Sequence, residues 1–199
     1  VSTMGYAVSK DGFTIDERLS DPIYVPRTEF EMSKENRNNG CEDGRITLID
    51  DRVYLTYTAY DGHNPPQIAL SSIPVEDFVG RQWENWSQPI RISPPGVDDK
   101  NCAILPKKIN DKYVVYHRID KRIWVDFVDS LAFPHDTYIQ GFPWLIPRKD
   151  KWDDVKIGIV GAPLETEQGW IFLYHGISSH NNSYRLGALL LDLEDPTKI

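Results

Sequence analysis

Three short polar segments of the sequence carry side chains suited to acid–base catalysis and to the binding of a polar ligand. They are Glu-Asp-Gly-Arg at 42–45, Asp-Lys-Asn at 99–101 and Lys-Ile-Gly at 156–158. Asp43, Asn101 and Gly158 each lie 11 or 12 positions before an aromatic, strand-like run. If these runs are equivalent strands of a repeated scaffold, the three segments face one axis. Converging acids, amides and cations suit a polyhydroxylated ligand, with one acid free for proton transfer.

The scaffold that positions these segments recurs at a nearly constant period. Tyr57, Tyr116 and Tyr174 are separated by 59 and 58 positions, and each ends an aromatic run that follows a turn. A fixed period with several strands in each unit is typical of a β-propeller. The acid, however, does not repeat, because Asn101 and Gly158 stand where the first repeat has Asp43. A carboxylate that is unique on a repeated strand indicates chemistry rather than packing.

Alternating and aromatic runs predict an all-β fold with short strands separated by Asp-Gly, Asn-Pro and Pro-Gly turns. One helical turn is expected between residues 75 and 86, and residues 5–12 are predicted to be the third strand of an incomplete earlier repeat. The predicted strands are 46–49, 53–60, 67–72 and 90–92 in the first repeat, 101–105, 113–116 and 123–127 in the second, and 160–164, 170–174 and 184–193 in the third.

Length and composition limit the class of protein. With 199 residues and 40% hydrophobic content, residues 1–199 are predicted to form a single domain with its own core. A net charge of −8 argues against a nucleic-acid partner, and no apolar run approaches the roughly 20 residues that span a bilayer. Cys41 and Cys102 make no disulfide framework, and no His, Cys and Asp pattern has metal-ligand spacing, so we expect no metal.

Four sequence segments, in order across nearly the whole chain, resemble glycoside hydrolase family 130, the β-mannoside phosphorylases and related mannosidases. Gly-Cys-Glu-Asp-Gly-Arg-Ile at 40–46 resembles the family's GxEDPRI segment, and Asp-Lys-Asn-Cys-Ala-Ile-Leu-Pro at 99–106 resembles DKNAALFP. Tyr-His-Arg at 116–118 fits an Arg-bearing strand of the family. Residues 156–176, from Lys-Ile-Gly to Tyr-His-Gly, fit its KIGAGPPPIKT…GWL…YHG stretch.

The resemblance implies a five-bladed β-propeller, of which this chain covers roughly three and a half blades. It also implies an oligosaccharide substrate, inorganic phosphate as co-substrate and no organic cofactor. Asp43 matches the catalytic acid, and Arg45 would orient that carboxylate or hold the sugar. The other matched positions contact the sugar or phosphate, or lie near the site: Lys100, Asn101, Arg118, Lys156, Tyr174 and His175.

Two substitutions depart from the family pattern. Gly44 replaces the usual Pro beside the acid, and Glu165 stands where many phosphorylases carry Lys. Glu165 leaves open a β-mannoside hydrolase that uses it as the base, because a hydrolase needs a second carboxylate to activate water. The apparently missing first and last blades leave open a catalytically silent sugar-binding propeller.

The sequence leaves cellular location and assembly open. We expect a cytoplasmic protein, with the periplasm as the alternative because residue 1 is Val. An incomplete propeller would leave a hydrophobic edge, so either a longer protein or a partner such as a second copy is expected to close it.

Overall fold

A computed structural model describes residues 1–35 and 38–199, and the regular secondary structure of these residues is almost entirely β-strand. The helical content is one short α-helix, α1 (Val75–Val79), and a 3-10 turn at Trp83–Asn85. Both lie in the stretch for which a single helical turn was predicted. The predicted all-β class is confirmed. In the described part of the chain, every helix is too short to cross a lipid bilayer.

The strands form a two-stranded hairpin and three four-stranded antiparallel sheets. In the first and second sheets each strand pairs with the one before it, whereas in the third sheet β13 pairs with β11 and β12 on one side and with β14 on the other. The hairpin is β1 (Ala7–Val8) and β2 (Glu17–Arg18); the first sheet is β3 (Gly40–Ile49), β4 (Arg52–Tyr60), β5 (Gln67–Pro74) and β6 (Ile90–Arg91); the second is β7 (Asp99–Ile104), β8 (Tyr113–Ile119), β9 (Arg122–Val128) and β10 (Phe142–Leu145); the third is β11 (Lys156–Ile159), β12 (Leu164–Thr166), β13 (Gly169–Ile177) and β14 (Tyr184–Leu191).

Most predicted strands are present, and the structure differs from the prediction at three places. The predicted strand at 160–164 is wrong over most of its length, because the chain leaves β11 at Ile159 and passes Pro163, which has no N–H to donate, before β12 begins. Residues 5–12 contribute only the two residues of β1, which pair with β2 rather than joining a four-stranded sheet. Strand β10 was not predicted; it contains Pro143 and its pairing with β9 shifts register there.

The core lies in layers between successive sheets, because neighbouring residues of a strand point to opposite faces. Val115 packs with Ile68 and Ile104 between the first and second sheets. The next residue, Tyr116, packs with Phe172 between the second and third sheets, their ring centroids 5.0 Å apart. Both cysteines are buried free thiols: Cys102 lies in the layer between the first and second sheets, and Cys41 lies between the first sheet and the N-terminal segment.

A buried carboxylate fastens the N-terminal segment to the first sheet. Glu31 is fully buried and accepts hydrogen bonds from Thr28 N at 2.8 Å, Thr28 Oγ1 at 2.9 Å and Arg27 N at 2.6 Å. It also accepts the Tyr57 hydroxyl and, at 3.5 Å, the Cys41 thiol. Burial raises the pKa of Tyr57 far above its ordinary value, so the phenol stays a donor. Because Cys41 belongs to β3, Glu31 couples this segment to the strand that carries Asp43.

Glu31→Ala is expected to lower the free energy of unfolding by roughly 2–4 kcal/mol, because it leaves buried donors without an acceptor. The exposed neighbour Glu29 supplies the matched control, and Glu29→Ala is expected to change stability by less than about 0.5 kcal/mol. Urea unfolding of the three proteins measures both values from the midpoints at constant slope. Equal midpoints for the two variants would show that the Glu31 network does not anchor the segment.

Candidate active site

Matching irregularities in two strands position the acid and the amide. Strand β3 contains one extra residue between Glu42 and Arg45 relative to its partner β4, and β7 contains one extra residue after Lys100 relative to β8. Asp43 and Asn101 begin these bulges, each with φ 53° in the left-handed region. Asp and Asn tolerate that region better than most side chains. A bulge re-aims a side chain out of the regular alternation, so both strands turn a polar group toward the same place.

The acid belongs to a chain of hydrogen bonds that runs across two sheets. Arg118 Nη1 donates to Asn101 Oδ1 at 2.5 Å, and Asn101 Nδ2 donates to Asp43 Oδ2 at 3.3 Å. Because a guanidinium only donates, it fixes the amide with its oxygen toward Arg118 and its NH₂ toward Asp43. Asn101 is 3% exposed, which further holds this orientation. Asp43 Oδ1 receives no hydrogen bond from the residues that the structure describes, and the side chain is exposed.

Arg45 fixes the backbone of the acid rather than its carboxylate. Its Nη1 donates to the carbonyl oxygen of Asp43 at 2.5 Å, its Nη2 to that of Ile159 at 2.8 Å and its Nε to that of Val160 at 3.1 Å. Burial lowers the pKa of Arg45, with the Asp43 charge opposing that shift. In place of the expected contact with the carboxylate, Arg45 makes contacts that join the bulge of β3 to the end of β11, and the alternative that it holds the sugar stays a prediction.

Seven of the nine predicted site residues meet at one cavity of about 500 Å³. An adjoining cavity of about 450 Å³ shares Lys100, Arg118 and Lys156, and its other lining residues are Asp98, Ile119, Asp120 and Lys121. Burial lowers the pKa of Arg118, and Asp98 opposes the shift. The residues of the first cavity are Asp43, Arg45, Lys100, Asn101, Arg118, Lys156, Val160, His175, Tyr184 and Leu186.

Tyr174 and Glu165 do not line this cavity. Tyr174 directly precedes His175 on β13, so its side chain points to the opposite face. Its hydroxyl donates to Asp153 Oδ2 at 3.1 Å and its ring stacks on Trp152. Glu165 lies on β12, where its Oε1 accepts from Lys107 Nζ at 3.1 Å. Both side chains have structural partners away from the acid.

Sequence reasoning missed Tyr184 and Leu186, which lie on the same face of β14 at the rim of the cavity. Both are more than 60% exposed, and Lys156 Nζ lies 5.4 Å from the centre of the Tyr184 ring. The sequence signal for them was that Tyr184 and Leu186 are two positions apart at the exposed start of a strand, which places both on one face. Without the pairing of β13 with β14 their proximity to His175 was not predictable.

Gly158 allows His175 and Asn101 to approach each other. It pairs with His175 across β11 and β13, and a Cβ at Gly158 would lie 2.6 Å from both Asn101 Oδ1 and His175 Nε2. Burial lowers the pKa of His175 to about 4; the charges of Arg118, Arg45 and Lys156 act in the same direction, and Asp43 opposes them. The imidazole is therefore neutral at neutral pH and is suited to hydrogen bonding with a hydroxyl group.

Comparison with known proteins identifies the family. A sequence model of glycoside hydrolase family 130, described as β-1,4-mannooligosaccharide phosphorylase, matches residues 1–199. The chain belongs to glycoside hydrolase family 130. The resemblance drawn from the sequence motifs is thus confirmed.

Individual members of family 130 resemble the chain over its full length. It is 36% identical over 199 residues to a 1,2-β-oligomannan phosphorylase and 37% identical over 200 residues to a β-1,2-mannobiose phosphorylase, both from Thermoanaerobacter sp. strain X514. These alignments cover 100% of this chain but 61% and 60% of the relatives. A solved β-1,2-mannobiose phosphorylase of Listeria innocua superposes with a TM-score of 0.77 at 30% identity, covering 96% of this chain and 50% of that one.

The Gly44 departure from the family 130 pattern has a local explanation. A Cβ at Gly44 would lie 2.8 Å from Met4 Sδ and 3.3 Å from Leu55 Cδ1. Glycine therefore leaves space for Met4 to pack behind the bulge.

Among the described residues, no group of three His, Cys, Asp or Glu is placed to hold a metal ion.

His175 is expected to titrate near pH 4 in the folded protein, against about 6.5 in the unfolded chain. Because the unfolded chain binds this proton at higher pH, His175 opposes folding as pH falls from about 6.5 toward 4. NMR titration of the imidazole measures the midpoint, and Arg118→Met is expected to raise it. A midpoint near 6.5 in the native protein would contradict the burial and the cationic surroundings of His175.

Arg45→Lys is expected to lower the free energy of unfolding by about 1–3 kcal/mol, because an ammonium cannot satisfy three separated carbonyl oxygens. Arg52→Lys is the control, since the Arg52 guanidinium contacts the hydroxyl of Ser72. Chemical denaturation compares the two. Equal losses of stability in both variants would remove the special role of the three carbonyl contacts.

Proposed function

We propose that this protein catalyses the inverting phosphorolysis of β-mannosides, releasing α-mannose 1-phosphate and a shortened saccharide. One observation carries the proposal: in the described part of the chain, Asp43 is the single carboxylate lining a cavity that also holds Arg45, Lys100, Arg118 and Lys156. One acid among several cations suits a reaction in which the nucleophile is itself an anion.

In the proposed reaction, a phosphate oxygen bonds to the anomeric carbon as the glycosidic C–O bond breaks. The Asp43 carboxyl group donates its proton to the departing oxygen, directly or through a hydroxyl of the sugar. Lys100, Lys156 and Arg118 supply charge for the phosphate, and Arg118 adds the planar donor geometry that matches phosphate oxygens. Neutral His175 and the amide of Asn101 are suited to hydroxyl groups of the sugar.

Hydrolysis by the same site has less support. An inverting hydrolase needs a second carboxylate roughly 6.5–9.5 Å from the acid, with room for a water. Glu165, the base suggested by the sequence, instead pairs with Lys107 outside the cavity. Phosphate as the nucleophile requires no such base.

For the linkage we propose β-1,2, with β-1,4 as the comparison substrate. Two relatives at 36% and 37% identity are named as phosphorylases of β-1,2-linked mannosides, whereas a β-1,4-mannooligosaccharide phosphorylase of Ruminococcus albus is 28% identical over 195 residues.

We also propose that the three sheets are successive blades of a five-bladed propeller, that the β1–β2 hairpin belongs to a further partial blade, and that residues 1–199 belong to one domain. The equivalent bulges of β3 and β7 and the meeting of β3, β7 and β11 at one cavity support this arrangement. The chain spans about three fifths of the length of the curated relatives, so binding and turnover are measured separately.

We expect incubation with β-1,2-mannobiose to release mannose 1-phosphate only when inorganic phosphate is present. Asp43→Asn is expected to lower turnover by about 10²–10⁴-fold, the usual contribution of a general acid. Glu42→Gln, a neutralised carboxylate on the adjacent residue, serves as control and should retain turnover within a few fold. Ion chromatography of both products provides the measurement.

Phosphate-independent release of free mannose would replace the phosphorylase by a hydrolase. Calorimetric binding of mannobiose and of inorganic phosphate with no turnover of either linkage would instead favour a silent sugar-binding protein. Full turnover by Asp43→Asn would remove Asp43 as the acid.

A further inference from the structure

A second groove lies along the outer edge of the first sheet, away from the cavity of Asp43. One cavity of about 670 Å³ is lined by the half-buried rings of Phe30, Phe133 and Tyr138, with Glu29, Asn64 and Arg91 among them. Another of about 630 Å³ shares Ile90, Phe133 and Pro134 with it, so the two form one groove. Along β5 the groove runs from Gln67, which bonds Arg91 in the first cavity, to Ser72 in the second cavity. These two residues are five positions apart on the strand, so the groove is about 17 Å long.

Three separate loops form the first part of the groove, and each is held in place. The loop with Glu29 and Phe30 is fastened by the buried Glu31 carboxylate. Asp61 Oδ1 accepts from His63 N and Asn64 N, both at 2.8 Å, which fixes the second loop. In the third loop, Ile139 N donates to Ile92 O at 2.8 Å, directly after Tyr138. The groove is therefore preformed, and little ordering is required when a ligand binds.

The groove offers both hydrogen-bonding polarities beside flat apolar rings. The Glu29 carboxylate has no partner among the described residues, and Arg91 uses one donor, on Gln67 at 3.3 Å. The far end adds the hydroxyl group of Ser72, which accepts from Arg52, and that of Ser87, which accepts from Ser72 N. A sugar unit presents hydroxyl groups that both donate and accept, and an apolar C–H face that packs on an aromatic ring.

We propose that this groove is a second, non-catalytic binding site for an oligosaccharide chain. A peptide that adds a strand is a poorer fit, because the edge strand β6 has only two residues and gives little backbone to pair with. The identification of the bound oligosaccharide as a β-mannan rests on the proposed function. The site would retain long substrates near the enzyme and would contribute nothing to a disaccharide.

The groove and the candidate active site adjoin through one loop. Asp61 directly follows β4, whose last residue, Tyr60, pairs with Gly40 three residues before Asp43. Pro66, at the end of the same loop, accepts a hydrogen bond from the backbone N–H of Asp99, next to Lys100. The Asp61 end of the groove therefore lies at the same end of the sheets as the candidate active site, which would act on the end of a saccharide chain.

The test compares β-1,2-mannobiose with a six-residue β-1,2-mannan chain by titration calorimetry. We expect the wild type to bind the longer chain about tenfold more tightly than mannobiose. The double variant Glu29→Ala, Tyr138→Ala should remove this difference while leaving mannobiose unchanged. Phe13→Ala, which removes a ring that is 96% exposed and outside both cavities, is the matched control and should behave as wild type.

Equal affinities of the wild type for the two saccharides would overturn the inference, as would equal binding of the longer chain by the double variant and Phe13→Ala. If the double variant loses its circular dichroism spectrum, Glu29→Gln replaces it, since Glu29 is exposed and has no described partner, and about a threefold loss is expected. If the protein phosphorolyses mannobiose but these variants do not change its affinity for the longer saccharide, the groove is rejected as a binding site and the proposed function stands. Binding of the longer chain that depends on Tyr138 without turnover would reject the proposed function alone.

Discussion

The contact between Arg45 and three backbone carbonyls is the constraint on which the candidate site depends. Asp43 lies in a bulge of β3, and β11 lies more than a hundred residues later, in another sheet. One guanidinium donates to the carbonyl oxygens of Asp43, Ile159 and Val160. The acid is therefore fixed relative to β11, where Gly158 pairs with His175. Lysine could carry the same charge but not the same three directions, which is why the residue type matters more than its sign.

Repetition of the bulge explains how a repeated scaffold forms a site that is not symmetric. β3 and β7 each have a residue with left-handed backbone conformation at the same place in the bulge, but Asp43 supplies a carboxylate and Asn101 an amide. The amide then donates to the carboxylate and accepts from Arg118. Strand β11 has no such bulge, and its Gly158, which the sequence spacing aligns with Asp43 and Asn101, leaves the space that a side chain would take from Asn101 and His175. The three strands thus contribute one acid, one donor and one space.

The sequence was sufficient for the all-β class, the family and the seven residues that share the cavity, because motifs and strand alternation are local properties. Register is not local. The period aligned Tyr57 with Tyr116, yet Thr56 and Tyr116 are equivalent by pairing, since Arg45 faces Thr56 and Ala103 faces Tyr116. The connection from β7 to β8 is longer than that from β3 to β4, and this difference conceals the offset of one residue.

The same limit explains the residues that the sequence misplaced. A motif that contains Tyr174 and His175 together does not say which of the two faces the site, and the pleat puts them on opposite sides. Glu165 stood at a position expected to hold a cation, but its partner Lys107 lies in the loop between β7 and β8, 58 positions earlier in the chain. Tyr184 reaches the cavity only because β14 pairs along the whole of β13.

Charge in the cavity follows from what surrounds each group rather than from composition. The chain has a net charge of −8, yet the cavity has four cations and one carboxylate among its described lining residues. Those cations and burial keep His175 neutral, so the site gains a hydrogen-bonding group without a fifth positive charge. Partial burial lowers the pKa of Arg118 and Arg45 but does not neutralise a guanidinium, which remains charged at any physiological pH. A cationic cavity in an acidic protein is therefore suited to an anion, and inorganic phosphate is the anion that the proposed reaction consumes.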